Sequence, residues 1–261
     1  MILKRRVSLN GVQLDSLDER ILISGLDEGA GKESITAVSN AAGAGQRVTA
    51  MRRDTLDVTV RFTMAIKNDD MAGRSELLEK VNAWAANGGW LRLGHKPNRR
   101  LQVVLAQAPG AGDMFAWTNE YTLTFRAYSV PYWEDETATT VTSATMTSVS
   151  SWNLLVPGSA ETVADVTVEN RSGRTINSVT VTVGGKKMTF ANLGLGGTAT
   201  LTIDHVRNNK MFYLRTRVGS TSVMEKRTGA DDFRVGPGAV NISFSAERAV
   251  RVTVSVRGRY L

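Results

Sequence analysis

The sequence predicts a mainly β protein of two domains: a first domain of strands with one helix, and a second domain of strands alone. Apolar and polar residues alternate along many short segments, which is the pattern of strands with one buried face. One segment of the first half has helical spacing instead. The strand pattern stops at Pro131, and a stretch rich in Ser and Thr follows it. We therefore expect domains of residues 1–135 and 136–261.

The first domain opens with a predicted hairpin. Asn10 and Gly11 lie between the segments ILKRRVSL and VQL, and this dipeptide readily takes the positive φ angles of a tight turn. A later segment, LDVTVRFTMAI, is predicted to be a half-buried strand. One face of that strand would carry the apolar side chains Leu56, Val58, Val60, Phe62, Met64 and Ile66.

The predicted helix follows this strand. Asp69 or Asp70 is expected to cap its start, and Gly88 with Gly89 ends it. Its apolar stripe must pack on a sheet and consists of Leu77, Leu78, Val81, Trp84 and Ala85. Two more strands, WLRL and LQVVLAQ, are joined by the turn GHKPNRR, and the strand YTLTFRAYSV closes the domain.

The second domain begins with the segment ETATTVTSATMTSVSS, which holds ten Ser or Thr residues. We interpret it as a tether that continues into an edge strand, because Thr and Val favour strands. Short predicted strands follow, separated by Gly, Asn and Pro turns, with Gly184 and Gly185 as a two-residue hairpin. The last two predicted strands, VNISFSA and VRVTVSVRGRY, are separate. This spacing predicts a β-sandwich.

Composition excludes several classes of protein. The chain has no cysteine, which removes disulfides, thiolate zinc sites and cysteine nucleophiles and fits a reducing compartment. No signal peptide and no apolar run of about 20 residues is found, so neither export nor membrane insertion is expected.

The net charge of +7 is unevenly distributed along the chain: residues 1–135 hold 17 Lys and Arg against 16 Asp and Glu, and residues 136–261 hold 15 against 9. A solvated sheet face explains this excess better than a surface for nucleic acid or an acidic partner, and both explanations stay open.

Candidate catalytic residues are few. His95 and His205, the two histidines, lie in different predicted domains, and neither has a metal-ligand neighbour at the right spacing. Asp231 and Asp232 are adjacent, but neighbours in a strand point to opposite faces. The segment GLDEGAGKES lacks the spacing of a Walker A motif, so we interpret it as a flexible turn. We expect no catalytic residue, no cofactor and no bound metal.

The order and spacing of these segments resemble the distal tail protein family of long-tailed, non-contractile bacteriophages. In the first half the resemblance rests on the opening hairpin, LDVTVRFTMAI, RSELLEKVNAWAANGG, the hairpin around HKPNRR, and FRAYSVPYWED. In the second half it rests on VPGSAETVADVTVEN, SVTVTVGGKKM, TATLTID, DDFRVGPGAVNISFS and RVTVSVRGRY.

This resemblance implies a structural protein at the tail tip of a virion, made and assembled in the cytoplasm of the host bacterium. Its N-terminal α+β domain, a split barrel with one helix and a hairpin, would close into a homo-hexameric ring, and a galectin-like β-sandwich would project outward. The implied partners are further copies of the chain, the tail tube protein, a tail tip or tail-associated protein, and receptor-binding proteins. Phage DNA would pass through the ring without specific recognition.

Two other functions stay open. A glycan-binding adhesin would act through the sandwich and would need exposed aromatic platforms, because a flat ring covers the apolar face of a sugar. Phe190 and Phe244 are predicted core residues instead. An enzyme such as a wall hydrolase would need a positioned general acid or nucleophile, which the sequence does not supply.

The segment AVSNAAGAGQR, residues 37–47, is predicted to be a loop that reaches an adjacent subunit. It has one charge, four alanines and two glycines, so a lone subunit gains too little burial to order it. Small residues let backbones approach closely, and an extended arm can pair with a free sheet edge. A disordered surface loop is the alternative. The candidate ring-interface residues are Ala37, Val38, Asn40, Gly43 and Gly45, with Arg47, Arg52 and Arg53 as charge partners near the base.

Overall fold

The computed structural model describes residues 6–29, 31–39, 46–67, 70–109, 120–207 and 211–261. These residues are mainly in antiparallel strands, and one sheet curls into a half barrel, which confirms the predicted fold class. They form two compact units. The first extends to Trp133, and the second comprises Glu134–Arg207 and Met211–Leu261. The division thus follows Trp133, whereas the sequence prediction places it after Asp135.

The first unit is built on one antiparallel sheet. Its strands pair in the order β2-β1-β6-β7-β8-β5-β3, and β4 pairs with β5. A short 3-10 helix, Leu14–Ser16, follows β2. The elements in chain order are β1 (Val7–Leu9), β2 (Val12–Gln13), β3 (Ile21–Glu28), β4 (Lys32–Ser39), β5 (Gln46–Met64), α1 (Met71–Ala85), β6 (Gly89–Leu93), β7 (Arg99–Gln107), β8 (Glu120–Ala127) and β9 (Trp133–Asp135).

The second half of β5 forms the centre of this sheet. Its residues 58–64 pair with β3 on one side, and its residues 56–63 pair with β8 on the other. Its alternate side chains are buried, as the sequence predicts for a strand with one face in the core. The buried residues are Leu56, Val58, Val60, Phe62 and Met64. Ile66, also predicted on this face, lies beyond the end of the strand.

The helix α1 begins and ends close to where the sequence predicts. The Asp70 side chain accepts a hydrogen bond from the Gly73 amide at 2.8 Å, which caps the helix, while Asp69 lies outside the described residues. Trp84 meets the Phe125 ring of β8 edge-on at 5.9 Å. α1 is the one α-helix among the described residues, and it lacks the length and apolarity needed to span a bilayer. Its buried side chains are Arg74, Leu77, Leu78, Val81 and Ala85.

In the second unit, the described residues outside loops and turns are in strands and in one short 3-10 helix, Met224–Lys226. The main pairing order is β17-β16-β15-β12-β20-β13-β14-β18, with β10 and β11 on β20 and β19 on β12. The strands are β10 (Thr139–Thr142), β11 (Met146–Val156), β12 (Thr162–Asn170), β13 (Val179–Val183), β14 (Lys186–Phe190), β15 (Thr200–Arg207), β16 (Phe212–Val218), β17 (Thr221–Ser222), β18 (Arg227–Gly229), β19 (Arg234–Val235), β20 (Gly238–Val256) and β21 (Arg259–Tyr260).

The long strand β20 connects the two layers of this unit. Its residues 238–246 pair with β11 and β13, and its residues 250–256 pair with β10 and β12. Buried side chains from both halves join one hydrophobic cluster, as in a sandwich. The prediction of two separate final strands is therefore wrong. The intervening residues include no Gly or Pro, so the chain bends without leaving the extended conformation.

Two other sequence predictions in this unit are resolved by the structure. The Ser/Thr-rich segment is in strand from Thr139 onward, so little of it serves as a tether. Gly184 and Gly185 join β13 to β14 with φ angles of +58° and +78°, which confirms the predicted hairpin.

An ion pair ties β5 to β8 in the first unit. Arg126 Nε lies 2.5 Å from Asp57 Oδ1, and Arg126 Nη2 lies 2.7 Å from Asp57 Oδ2, so the contact is bidentate. The two residues are direct cross-strand partners. Hydrogen bonding from this guanidinium lowers the pKa of the Asp57 carboxyl below its ordinary value of 3.8.

This pair should make the first unit sensitive to acid. Because the pKa of Asp57 is lowered by folding, its stabilisation is present above the ordinary pKa and is lost as the pH falls through the folded value. Asp57→Asn should cost about 1 kcal/mol at pH 7 and nothing at low pH. Urea unfolding followed by tryptophan fluorescence measures this, since four of the five Trp residues lie in the first unit. The exposed Asp27→Asn variant serves as control. A cost for Asp57→Asn that does not change with pH would contradict the prediction.

The second unit should fold without the first. Its buried apolar side chains form one cluster drawn from both layers, so residues 134–261 contain a complete core. Produced alone, this fragment should give an all-β circular dichroism spectrum and a single cooperative thermal transition. An insoluble or unfolded fragment would show that its core depends on the first unit.

Candidate assembly site

The first half of β5 extends beyond the main sheet. Residues 46–55 pair with β4, from Ser39 opposite Gln46 to Lys32 opposite Thr55, whereas pairing with β8 begins only at Leu56. These residues span about 30 Å at roughly 3.3 Å per residue. We call this two-stranded hairpin, residues 32–39 and 46–55, the arm.

Both faces of the arm are open to solvent. Ile35 and Val48 are 58% and 57% exposed, and Val38 is 54% exposed. Ala37 pairs with Val48, so Ile35, Ala37 and Val48 share one face, while Val38 pairs with Arg47 on the other. A hairpin of two strands is marginally stable alone in water. The arm therefore lacks the apolar burial that stabilises the rest of its unit.

Most of the predicted interface residues lie in this arm, in strands where the sequence pattern predicts a loop. The reason is that residues 32–39 and 46–55 satisfy each other's backbone groups, which the sequence pattern alone does not reveal. Five of the eight lie in the two strands: Ala37, Val38, Arg47, Arg52 and Arg53. The other three lie outside the described residues: Asn40, Gly43 and Gly45.

The base of the arm is held by residues of its own chain. Arg53 pairs across the arm with Glu33, and its guanidinium lies over the Tyr132 ring, 5.5 Å from the centroid. The Arg53 side chain passes close to Gly31, where a Cβ would lie 2.4 Å from Arg53 Nε. Glycine at this turn therefore leaves room for the Arg53 side chain at the point where the arm leaves the sheet.

A cluster of charges lies beside this base. Glu28, at the end of β3, contacts His95 Nε2 at 2.5 Å and Lys96 Nζ at 2.7 Å. Lys96 in turn lies 4.8 Å from the centroid of the Trp133 ring. The turn between β6 and β7 is thereby attached to the end of β3. No local sequence pattern links His95 to this partner, because Glu28 precedes it by 67 positions.

The other residues that could take part in catalysis, His205, Asp231 and Asp232, form hydrogen bonds or ion pairs with side chains of the same chain. His205 Nδ1 lies 2.8 Å from Asp165 Oδ1, although the two residues are 40 positions apart in the sequence. Within the described ranges, no group of three or more His, Asp or Glu side chains could hold a metal ion. Asp231 and Asp232 lie in a loop before β19, so the strand geometry expected for them does not apply, and each contacts a different arginine. These contacts are Arg227 Nη2 to Asp231 Oδ1 at 3.3 Å and Arg234 Nε to Asp232 Oδ2 at 2.7 Å.

Sequence comparisons give no relative for this chain: no family model matches it, and no curated protein does. Among solved structures, it is similar to the Dit (gp 19.1) protein of phage SPP1, described as a paradigm of the hub adsorption apparatus in phages that infect Gram-positive bacteria. The two are 13% identical, the match covers 98% of this chain and 99% of that chain, and the TM-score is 0.68.

Two structures of the phage P2 baseplate in its activated conformation also align. The form with Ca is 7% identical over 98% of this chain and 97% of that chain, and the form with Sr is 6% identical over 97% of each. Both TM-scores are 0.46, so no argument rests on them. The match to SPP1 Dit confirms the resemblance at the level of the fold: over nearly its whole length, this chain has the fold of a phage distal tail hub protein.

Proposed function

We propose that this chain is the distal tail hub of a long-tailed, non-contractile phage, a structural protein that forms a ring between tail tube and tail tip. The observation that carries the proposal is the fold similarity to SPP1 Dit, which extends over both units of the chain. A shared fold does not by itself assign a function. Here the exposed arm adds a feature that a lone subunit does not need.

The arm supplies the contact that closes the ring. A ring of identical subunits repeats one contact between two different patches on each subunit. Burial of Ile35 and Val48 against the adjacent subunit would contribute about 1.5–3 kcal/mol for each side chain. The outer edges of the arm can also pair with a strand of that subunit. Ring closure thereby orders a hairpin that has no cover in its own chain.

The remaining parts of the proposal follow from the hub role. The ring is a hexamer in the virion tail tip, assembled in the bacterial cytoplasm. Its partners are the tail tube protein, a tail tip or tail-associated protein, and receptor-binding proteins. Phage DNA passes through the ring without specific contacts. The chain is not an enzyme, since its role is to hold other proteins in position.

The second unit is the galectin-like sandwich of this hub and projects outward. Its aromatic residues give little support to an adhesin that stacks rings on sugars. Phe190, Phe233 and Phe244 are buried, whereas Tyr213 is 48% exposed. One exposed ring is a small platform for a saccharide chain. The sandwich therefore serves mainly as a surface for other tail proteins.

The first test is the oligomeric state of the purified chain. Light scattering should give a mass several times that of the subunit, and negative-stain imaging should show rings with a central hole. The double variant Ile35→Asp and Val48→Asp should remain monomeric, because two carboxylates would be buried at each contact. Leu155→Asp is the matched control, since Leu155 is 70% exposed on the second unit and should tolerate the charge.

The outcomes separate the two parts of the proposal. A wild-type chain that stays monomeric at high concentration would contradict the ring itself. Rings that persist in the double variant would leave the hub role standing and would exclude the arm as its contact.

A further inference from the structure

The charges of residues 1–135 nearly balance, but they are separated along the chain. Residues 1–14 and 86–112 hold seven Lys and Arg and no Asp or Glu. The remaining residues up to 135 hold the other 10 Lys and Arg against all 16 Asp and Glu. The first set includes β1, β2, β6 and β7, which are consecutive neighbours in the sheet. Positive charge is therefore concentrated on one part of the first unit.

Two of these cations lie on the open face of the sheet. Leu91 and Leu93 of β6 are buried in the core, so Arg92 between them points to the opposite face, where it is exposed. Arg6 is also exposed and lies two residues before Ser8, which is the cross-strand partner of Arg92. The Gly94 amide donates to the Arg6 carbonyl oxygen, so the pairing continues to this residue. Arg6 and Arg92 are thus diagonal neighbours on adjacent strands, with Cβ atoms about 7 Å apart.

A third cation of this face belongs to β7. The Arg100 guanidinium lies over the Trp90 ring, 3.8 Å from its centroid. Trp90 is the cross-strand partner of Gln102, so Arg92 and Arg100, each two residues away from that pair in the same direction, are also neighbours. Like charges in such positions repel one another, and an anionic partner would relieve the repulsion. We call the surface formed by Arg6, Arg92 and Arg100 the basic face.

The other side of the first unit is acidic. Residues 15–20, which lead into β3, and residues 70–85, which form α1 and its cap, hold six Asp and Glu against three Lys and Arg. Lys80 joins the two segments: its Nζ lies 3.3 Å from Asp18 Oδ2 and 2.7 Å from Glu76 Oε1. We call the surface formed by these two segments the acidic side.

Two carboxylates of the acidic side are open to a partner. Glu19 and Glu79 are exposed, and neither has an ion-pair partner within the described ranges. The helix packs on the core face of the sheet, where Trp84 meets Phe125, whereas the basic face is the reverse of that sheet. The acidic side and the basic face therefore point away from each other.

We propose that the basic face of one subunit contacts the acidic side of the adjacent subunit in the ring. This inference rests on the proposed ring and adds a second contact to the arm. A ring repeats one contact between two different patches, and patches on opposite sides of the subunit allow that repetition. The arm contributes apolar burial, whereas the opposite charges orient the subunits and disfavour pairings of like patches.

The distribution of charge favours a second copy of this chain over nucleic acid as the partner. Nucleic acid would be attracted by the basic face and repelled by the acidic side. A second copy instead offers each of the two surfaces a partner of opposite sign. The near balance of charge over residues 1–135 agrees with this, because the excess on one surface is matched by the deficit on the other.

Charge reversal in the full chain tests this contact. Arg6→Glu with Arg92→Glu should raise the dissociation constant of the ring at least about tenfold, measured by sedimentation velocity, because the contact then brings carboxylates together. Glu19→Lys with Glu79→Lys should weaken the ring similarly, because cations then meet cations. The chain with all four substitutions should recover assembly to within about threefold of the wild type, because the two surfaces are complementary again.

A matched control changes the net charge without touching either surface. Arg248→Glu with Arg251→Glu alters two exposed residues of the second unit and shifts the net charge by the same amount as the reversal of the basic face. This variant should assemble as the wild type does. Thermal unfolding should show that all the variants fold.

The outcomes separate this contact from the ring itself. A wild-type chain that forms no ring would remove both. Wild-type rings that tolerate both reversals would leave the hub role standing and exclude the charged contact. If each reversal weakens the ring but the chain with all four substitutions does not recover, the two surfaces do not meet each other. If reversal of the basic face leaves the ring intact but abolishes a gel shift of a short DNA duplex, the basic face binds nucleic acid instead.

Discussion

The burial of one face of β5 is the interaction on which the first unit depends. From Leu56 to Met64 its alternate apolar side chains are covered, and this fixes the register of the strands on either side. The N-terminal part of the same strand, residues 46–55, lacks this alternation of apolar residues, and it pairs with β4 instead of β3 and β8. The C-terminal half of β5 is thus fixed in the core, while the N-terminal half extends into solvent. The arm is a consequence of the core, and its Ile35 and Val48 side chains are left exposed by their own chain.

Features set by neighbouring residues could be predicted from the sequence. The buried half of β5, the Asp70 cap of α1 and the Gly184-Gly185 hairpin each depend on patterns within a few residues, and each is confirmed. The strands of the arm and the continuity of β20 could not be predicted in this way. In both, the backbone is kept extended by pairing with segments elsewhere in the chain, and no local signal records that pairing. The candidate sites show the same limit, since Glu28 and His95 meet across 67 residues.

Asn170 in the second unit illustrates why contacts between distant segments are harder to predict than elements of the fold. In the sequence it resembles an ordinary residue at the end of a strand, yet its side chain joins two segments that are 25 residues apart. Similarly, the chain retains the fold of SPP1 Dit at 13% identity, because a fold needs apolar and polar residues in the right order and tolerates most exchanges among them. Surfaces are under no such constraint.

In the proposed ring, the arm becomes ordered when it contacts an adjacent subunit. Hydrogen exchange measures this directly, by mass spectrometry of peptides from residues 32–55 in the assembled ring and in the chain dissociated by dilution. Residues 56–64 serve as internal reference, because their pairing lies within the subunit. Exchange in the arm should slow at least several-fold on assembly, while exchange in the reference segment should stay the same. Equal exchange of the arm in both states would show that the arm is not the contact between subunits.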